Sequence, residues 1–234
     1  AAAPMQWAAS MKVAPLERVG QAAGALSQET QASIALAGAG ALQDGRVARS
    51  VRRLPLEWGA PYLSAWFRPK PSGTLDTDAG LAWKDGRWVA RVASLAVEGA
   101  SLACVDAADC PEPDGGRSFL RDRRTLAELQ RLELEDARID SARHALHIGR
   151  IGLTQPRLRV ERDAQGRWMV ERWARTAPSG VSVKPDAAAD ASAQTWSVAL
   201  GRLDLDGGVA VLRDASLQER LPVTVSDVRV RLQD

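Results

Sequence analysis

The strongest constraint in this chain is a two-residue alternation of apolar and polar side chains that repeatedly slips by one position. In TWSVALGRLDLDGGVAVLRD, residues 195–214, Trp196, Val198 and Leu200 share one phase and Leu203 and Leu205 the other. Period two means a strand with one buried face. A slip of one residue turns the buried set over unless the backbone absorbs it, and Gly201 stands at the break. The same slip occurs at Asp136, between Leu132/Leu134 and Ala137/Ile139, and at Ser226/Asp227, between Val223/Val225 and Val228/Val230/Leu232. Kinked, strongly curved antiparallel strands are the expected product. Asp206, Gly207 and Gly208 carry the turn chemistry of a hairpin.

Further strands are expected over 31–42, 45–56, 73–84, 86–103, 143–153, 156–162 and 167–174, with turns at QDG (43–45), KDG (84–86) and DAQG (163–166). Two segments read as helical. Ala60–Phe67 has Pro61 in its first turn, sets Tyr62, Leu63, Trp66 and Phe67 to one side and is stopped by Pro69 and Pro71. Thr125–Arg131 pairs Thr125 with Glu128 at capping-box spacing, and Leu126 and Leu129 share a face. An internal repeat runs through the strands: LAVEGASL from Leu95, LELEDARI from Leu132, IGLTQPRL from Ile151 and LDLDGGVA from Leu203. Such units build an elongated sheet by addition.

The fold class expected is therefore mainly β: an elongated, curved antiparallel sheet of hairpins forming a half-open trough, with one or two short helices. One domain spans 1–234. It is interrupted by an acidic surface loop at 105–118 and a low-complexity tract at 176–195, which lacks aromatic residues and cannot offset its ordering entropy.

Chemistry is sparse. A net charge of +2 argues against nucleic acid as a partner. No run of about 18 apolar residues is present, and the N-terminal residues lack the order of a signal peptide. The first residue is not Met and the last residues are strand-like, so the expectation is a fragment of a longer protein. His144 and His147 fall on opposite faces of a strand, which predicts no metal. No GxSxG, P-loop or GxGxxG string follows a strand, and Asp and Glu interleave with Arg on polar faces, so no catalytic residue and no cofactor are expected. Cys104 and Cys110 leave a local disulfide and a pair of free thiols both open. The 8 Trp beside 1 Tyr and 2 Phe fall on apolar patterns and are expected along the inner wall of the trough.

The order LPLEWGAPYLSAWF (54–67), SGTLDTDAGLAWKDG (72–86), RTLAELQRLELEDARID (124–140), IGRIGLTQPRLRVERDAQGRWMV (148–170) and WSVALGRLDLDGGVAVLRDAS (196–216) resembles the AsmA-like superfamily of bacterial envelope proteins. Within it, the domain-of-unknown-function 748 family is the most similar. The likeness covers about residues 30–234. It implies a non-enzymatic body in the periplasm, tethered to the inner membrane in the full-length protein. Its implied role is to contribute a hydrophobic conduit or scaffold for phospholipid transport or envelope integrity, with acyl chains and other envelope proteins as partners. Leu95, Val97, Leu132, Leu134, Leu203 and Leu205 are the candidate apolar inner face. The competing expectation is a protein-interaction or assembly module using sheet edges and flexible loops.

Overall fold

The computed structural model describes residues 5–13, 32–41, 43–65, 67–105, 110, 120, 124–173, 195–217 and 222–234. The chain is mainly β and forms one large mixed sheet of ten strands. Strands β1 (Gln6–Val13), β2 (Ala32–Gly40), β3 (Asp44–Pro55), β4 (Lys70–Lys84), β5 (Arg87–Ala103), β6 (Thr125–Asp140) and β7 (Ala145–Thr154) follow one another as an antiparallel meander. Then come β8 (Arg157–Arg162), β9 (Ser197–Asp214) and the edge strand β10 (Val223–Gln233). The KDG turn joins β4 to β5 with Asp85 at φ 49° and Gly86 at φ 75°, the doubly positive pair that a two-residue hairpin requires.

β7 and β8 occupy a single lane between β6 and β9. Pro156, which has no N–H to give a ladder, sits at the joint. The flanking backbone groups are satisfied across the joint: Gln155 N–H donates to the Asp206 carbonyl at 2.7 Å and Val209 N–H to the Pro156 carbonyl at 2.8 Å. β9 runs parallel to both β7 and β8, so the sheet is mixed and not purely antiparallel as expected. Parallel neighbours need a long crossover. Here it leaves β8 at one end of the sheet and enters β9 at the other.

The expected phase breaks are physical kinks. Asp136 has φ 50°, and Gly149 of β7 and Gly201 of β9 stand beside it in adjacent lanes. A Cβ on Gly201 would lie 2.8 Å from the Gly149 carbonyl oxygen, which explains glycine there. In each of the four eight-residue repeat units the fifth residue carries a positive φ: Gly99 (59°), Asp136 (50°), Gln155 (48°) and Gly207 (67°). Asp227, fifth from Val223, has φ 54°. The register aligns Gly99, Gln130, Gln155 and Gly207 across β5, β6, the β7–β8 lane and β9. The kinks therefore form creases that cross the sheet.

Several expectations are corrected. Residues 125–131 are the start of β6 and not a helix, because their backbone pairs with β5 and β8. The strand expected over 167–174 is not found in its described part, 167–173: Trp168 bridges Arg162 and Met169–Arg172 form a 3-10 turn. Asp206–Gly208 make no hairpin; β9 continues through them, and Gly207 supplies a kink in its place. The Ala60–Phe67 helix shrinks to α1 (Ala60–Leu63) after a 3-10 turn at Leu56–Gly59, with Pro61 in the first turn. Its apolar side does not bury Tyr62 or Leu63, which are exposed. The 105–118 loop beyond Val105 and Cys110 and the tract at 176–194 lie outside the described residues.

The core is small and sits at one end. Cys104, Leu126 and Met169 are buried together, packed by Leu102, Cys110 and Trp173. Cys104 and Cys110 are bonded as a disulfide. The Phe67 and Trp173 rings meet edge to face at 6.1 Å, and Arg68 N–H donates to the Trp173 carbonyl at 2.8 Å. Residues 169–173 thus cap one end of the sheet.

Candidate functional site

Away from that cap, the pairing register sorts side chains onto two faces, since directly opposed residues point to the same side. One row reads Met11, Ile34, Val51, Thr77, Leu95, Leu134, Ile151, Leu203 and Leu232 across nine strands. Two residues along, a second reads Leu54, Leu75, Val97, Leu132, Leu153, Leu205 and Val230. All six candidate residues fall in these two rows and share this face. Ile151 and Leu153 lie between the β6 and β9 members and complete the rows. Sequence reasoning missed them, although the Ile151 repeat unit carries the same apolar pair.

This face has no second layer among the described residues. Val97 is buried at 7% exposure, but Leu95, Leu132, Leu134, Leu203 and Leu205 stay half-buried, and Leu232 is 56% exposed. Every substantial contact between strands runs between hydrogen-bonded neighbours. Val51 and Thr77 in these rows are also buried, at 7% and 6% exposure, and burying a leucine fully is worth about 1.5–3 kcal/mol, so the half-buried leucines leave apolar contact surface unfilled.

The tryptophans divide between the two ends. At the end opposite the cap, the Trp7 ring lies over Gly38 and the Trp83 ring over Gly45, where any Cβ would collide with the indole. Trp88 is directly opposite Trp83 and 39% exposed, and Trp196 meets His144 edge to face at 5.3 Å. Trp58 and Trp173 lie at the capped end, and Trp168 stacks under the Arg162 guanidinium at 5.5 Å. Trp66 lies outside the described residues.

The reverse face between the creases is a charge ladder. Arg150 reaches Asp204 at 3.0 Å and Glu135 at 3.1 Å, Arg202 reaches Asp204 at 2.7 Å, and Arg231 reaches it at 3.4 Å. The hydrogen bond from Arg202, then that from Arg150, lowers the Asp204 pKa to about 2. On β3 and β4, Arg52 holds Asp78 at 2.8 Å, and that hydrogen bond keeps the Asp78 carboxyl below its usual range. These groups are paired structurally, Arg202 with Asp204 along β9 and the others across strands, and offer no free acid–base couple.

His144 and His147 belong to no metal-holding group, and no cluster of three or more His, Cys, Asp or Glu with that composition occurs among the described residues. No helix of the described residues is long and apolar enough to cross a membrane. No protein-family model, curated protein or solved structure matches the chain.

Proposed function

We propose that this chain is a non-enzymatic domain of the bacterial cell envelope whose apolar face contacts lipid acyl chains, as part of a conduit or scaffold. The observation that carries this reading is the double apolar row, which crosses the sheet without a covering layer among the described residues. Each CH₂ group laid against it contributes about 0.8 kcal/mol, so one alkyl chain supplies useful affinity without any specific pocket. The Cys104–Cys110 bond fits an oxidising compartment such as the periplasm. The AsmA-like resemblance adds the expectation of an inner-membrane tether in the full-length protein.

Native mass spectrometry of protein purified without detergent tests this. Co-purifying phospholipid is expected for the natural sequence and falls in the L134K/L203K variant, with the strand circular-dichroism spectrum retained. Equal lipid content in both overturns the reading.

A second reading, an assembly module, is favoured by one observation. β10 is an edge strand with Val223, Val225 and Leu232 each about half exposed or more. Such an edge is a template for strand addition. A Lys or Pro placed at Val225 then abolishes partner capture while leaving lipid content unchanged.

A further inference from the structure

The three largest hollows among the described residues lie toward the face opposite the leucine rows. Three open hollows of about 1590, 960 and 680 Å³ adjoin one another along β1–β5. They share residues in sequence: Ala39, Arg46, Ala82 and Val89 line the first two, and Ala8, Ala37, Ala48, Gly80 and Arg91 the second and third. The register explains the hollow. On this face opposed positions read Ala8, Ala37, Ala48, Gly80 and then Arg91, so the backbone is floored by methyl groups and by no side chain at all at Gly80. The groove spans the strand length from Ser50 to Asp44, about 20 Å, which exceeds the thickness of one leaflet of hydrocarbon.

Its charges break the rule that holds elsewhere on this face. Between the creases every arginine of the ladder holds a carboxylate, Arg150 and Arg231 across strands and Arg202 along its own strand. Here Arg91 of β5 is directly opposite Arg138 of β6, and His147 follows on β7. Like charges directly opposed are destabilising. Arg138 has Asp140 at 3.3 Å, but Asp140 is also held by the backbone N–H groups of Ala142 and Arg143. Arg91 and Arg46 have no ion pair or hydrogen bond among the described residues, and both line the middle hollow with Arg138. Two guanidiniums on opposed positions lie within reach of one oxyanion, and both can offer paired N–H donors to it.

We propose that this groove binds an amphiphile with one anionic phosphate head and one alkyl tail. The head sits between Arg91 and Arg138, with Arg46 across the β4 lane. The tail lies on the alanine floor. The site is separate from the leucine face and does not rest on the acyl-contact reading.

Isothermal titration of the full chain with a single-chain alkyl phosphate, below its critical micelle concentration, tests the proposal. Controls are an alkyl maltoside of equal chain length and inorganic phosphate. Saturable binding of the alkyl phosphate is expected, weakened at least about tenfold in R91Q/R138Q. A48F, which fills the floor, weakens it while keeping the arginines. Thermal melts of both variants establish that they fold, and L134K/L203K on the other face leaves this binding unchanged. Three results overturn the proposal: unaltered affinity in folded R91Q/R138Q, equal affinity for the maltoside, or equal affinity for inorganic phosphate. The first two remove the role of charge and the third that of the tail. None of the three bears on the fall in co-purified phospholipid in L134K/L203K that tests the leucine face.

Discussion

The two ends of this sheet solve the same problem in opposite ways. At the capped end, Leu126 and Met169 are each about 1% exposed, and a disulfide and a 3-10 turn close over them. At the open end, tryptophans lie over glycines on one face and alanines floor a groove on the other, and Trp7, Trp88, Trp196 and Val198 remain exposed. Stability is therefore concentrated where the chain folds back on itself. The open end is held by the hydrogen-bonded ladder and by contacts within a single layer.

That contrast can be broken most severely through the link that joins the ends. The chain leaves the cap at Trp173 and re-enters the sheet at Ser197, beside Ala145 at the open end. Deleting residues 177–193 leaves a link that reaches at most about 25 Å, against about 45 Å along β6. The expected outcome is loss of the β9 and β10 pairings, read as a large drop in strand circular dichroism. Retention of the native spectrum would disprove the parallel placement of β9.

Next in size, L126A is expected to cost about 2–5 kcal/mol in urea unfolding, because it leaves a cavity under Met169 and Cys104. The corresponding truncation at the open end, V198A, removes a side chain that is 67% exposed and is expected to cost under about 0.5 kcal/mol. Equal costs would abolish the distinction between the ends. Replacing Cys104 and Cys110 together with Ser is expected to lower stability by about 2 kcal/mol, since a short loop is closed. Hydrogen exchange should then rise in Leu102–Cys104 and not in β1–β3.

The smallest effect concerns acid. The Asp204 carboxyl has its folded pKa lowered to about 2 from an ordinary 3.8. Its contribution to stability is thus fully present above about pH 4 and disappears as pH falls through about 2. In D204N that part of the pH–stability curve flattens, which acid titration by tryptophan fluorescence measures.

Much of this was legible because kinks leave a signature in phase. Asp136, Gly201 and Asp227 are breaks in the apolar alternation and lie at breaks in the ladder, and each repeat unit carries a positive-φ residue at its fifth position. The six leucine and valine candidates share one face for the same reason. What was not legible depended on partners distant in sequence. Thr125 and Glu128 have helix-start spacing, yet β5 and β8 claim that backbone, and pairing outweighs local preference. Asp206–Gly208 have hairpin chemistry, but whether a glycine turns the chain back or only kinks it depends on the neighbouring lane, where Gln155 is kinked too. The alanine groove was missed because alanines read as weak members of the alternation. Only the register reveals that they line up with an opposed Arg91–Arg138 pair.

The alignment of kinks from strand to strand has a consequence for how such a chain can change length. A residue gained or lost inside β9, between Leu203 and Gly207, would move that kink out of step with Gln155 and turn the leucines of one strand against those of the next. Compensation would demand matching changes in every strand along the crease. Insertions and deletions in descendants of this gene should therefore collect in the turns between strands, or arrive as whole strands at the β1 and β10 margins, while strand interiors keep a fixed residue count.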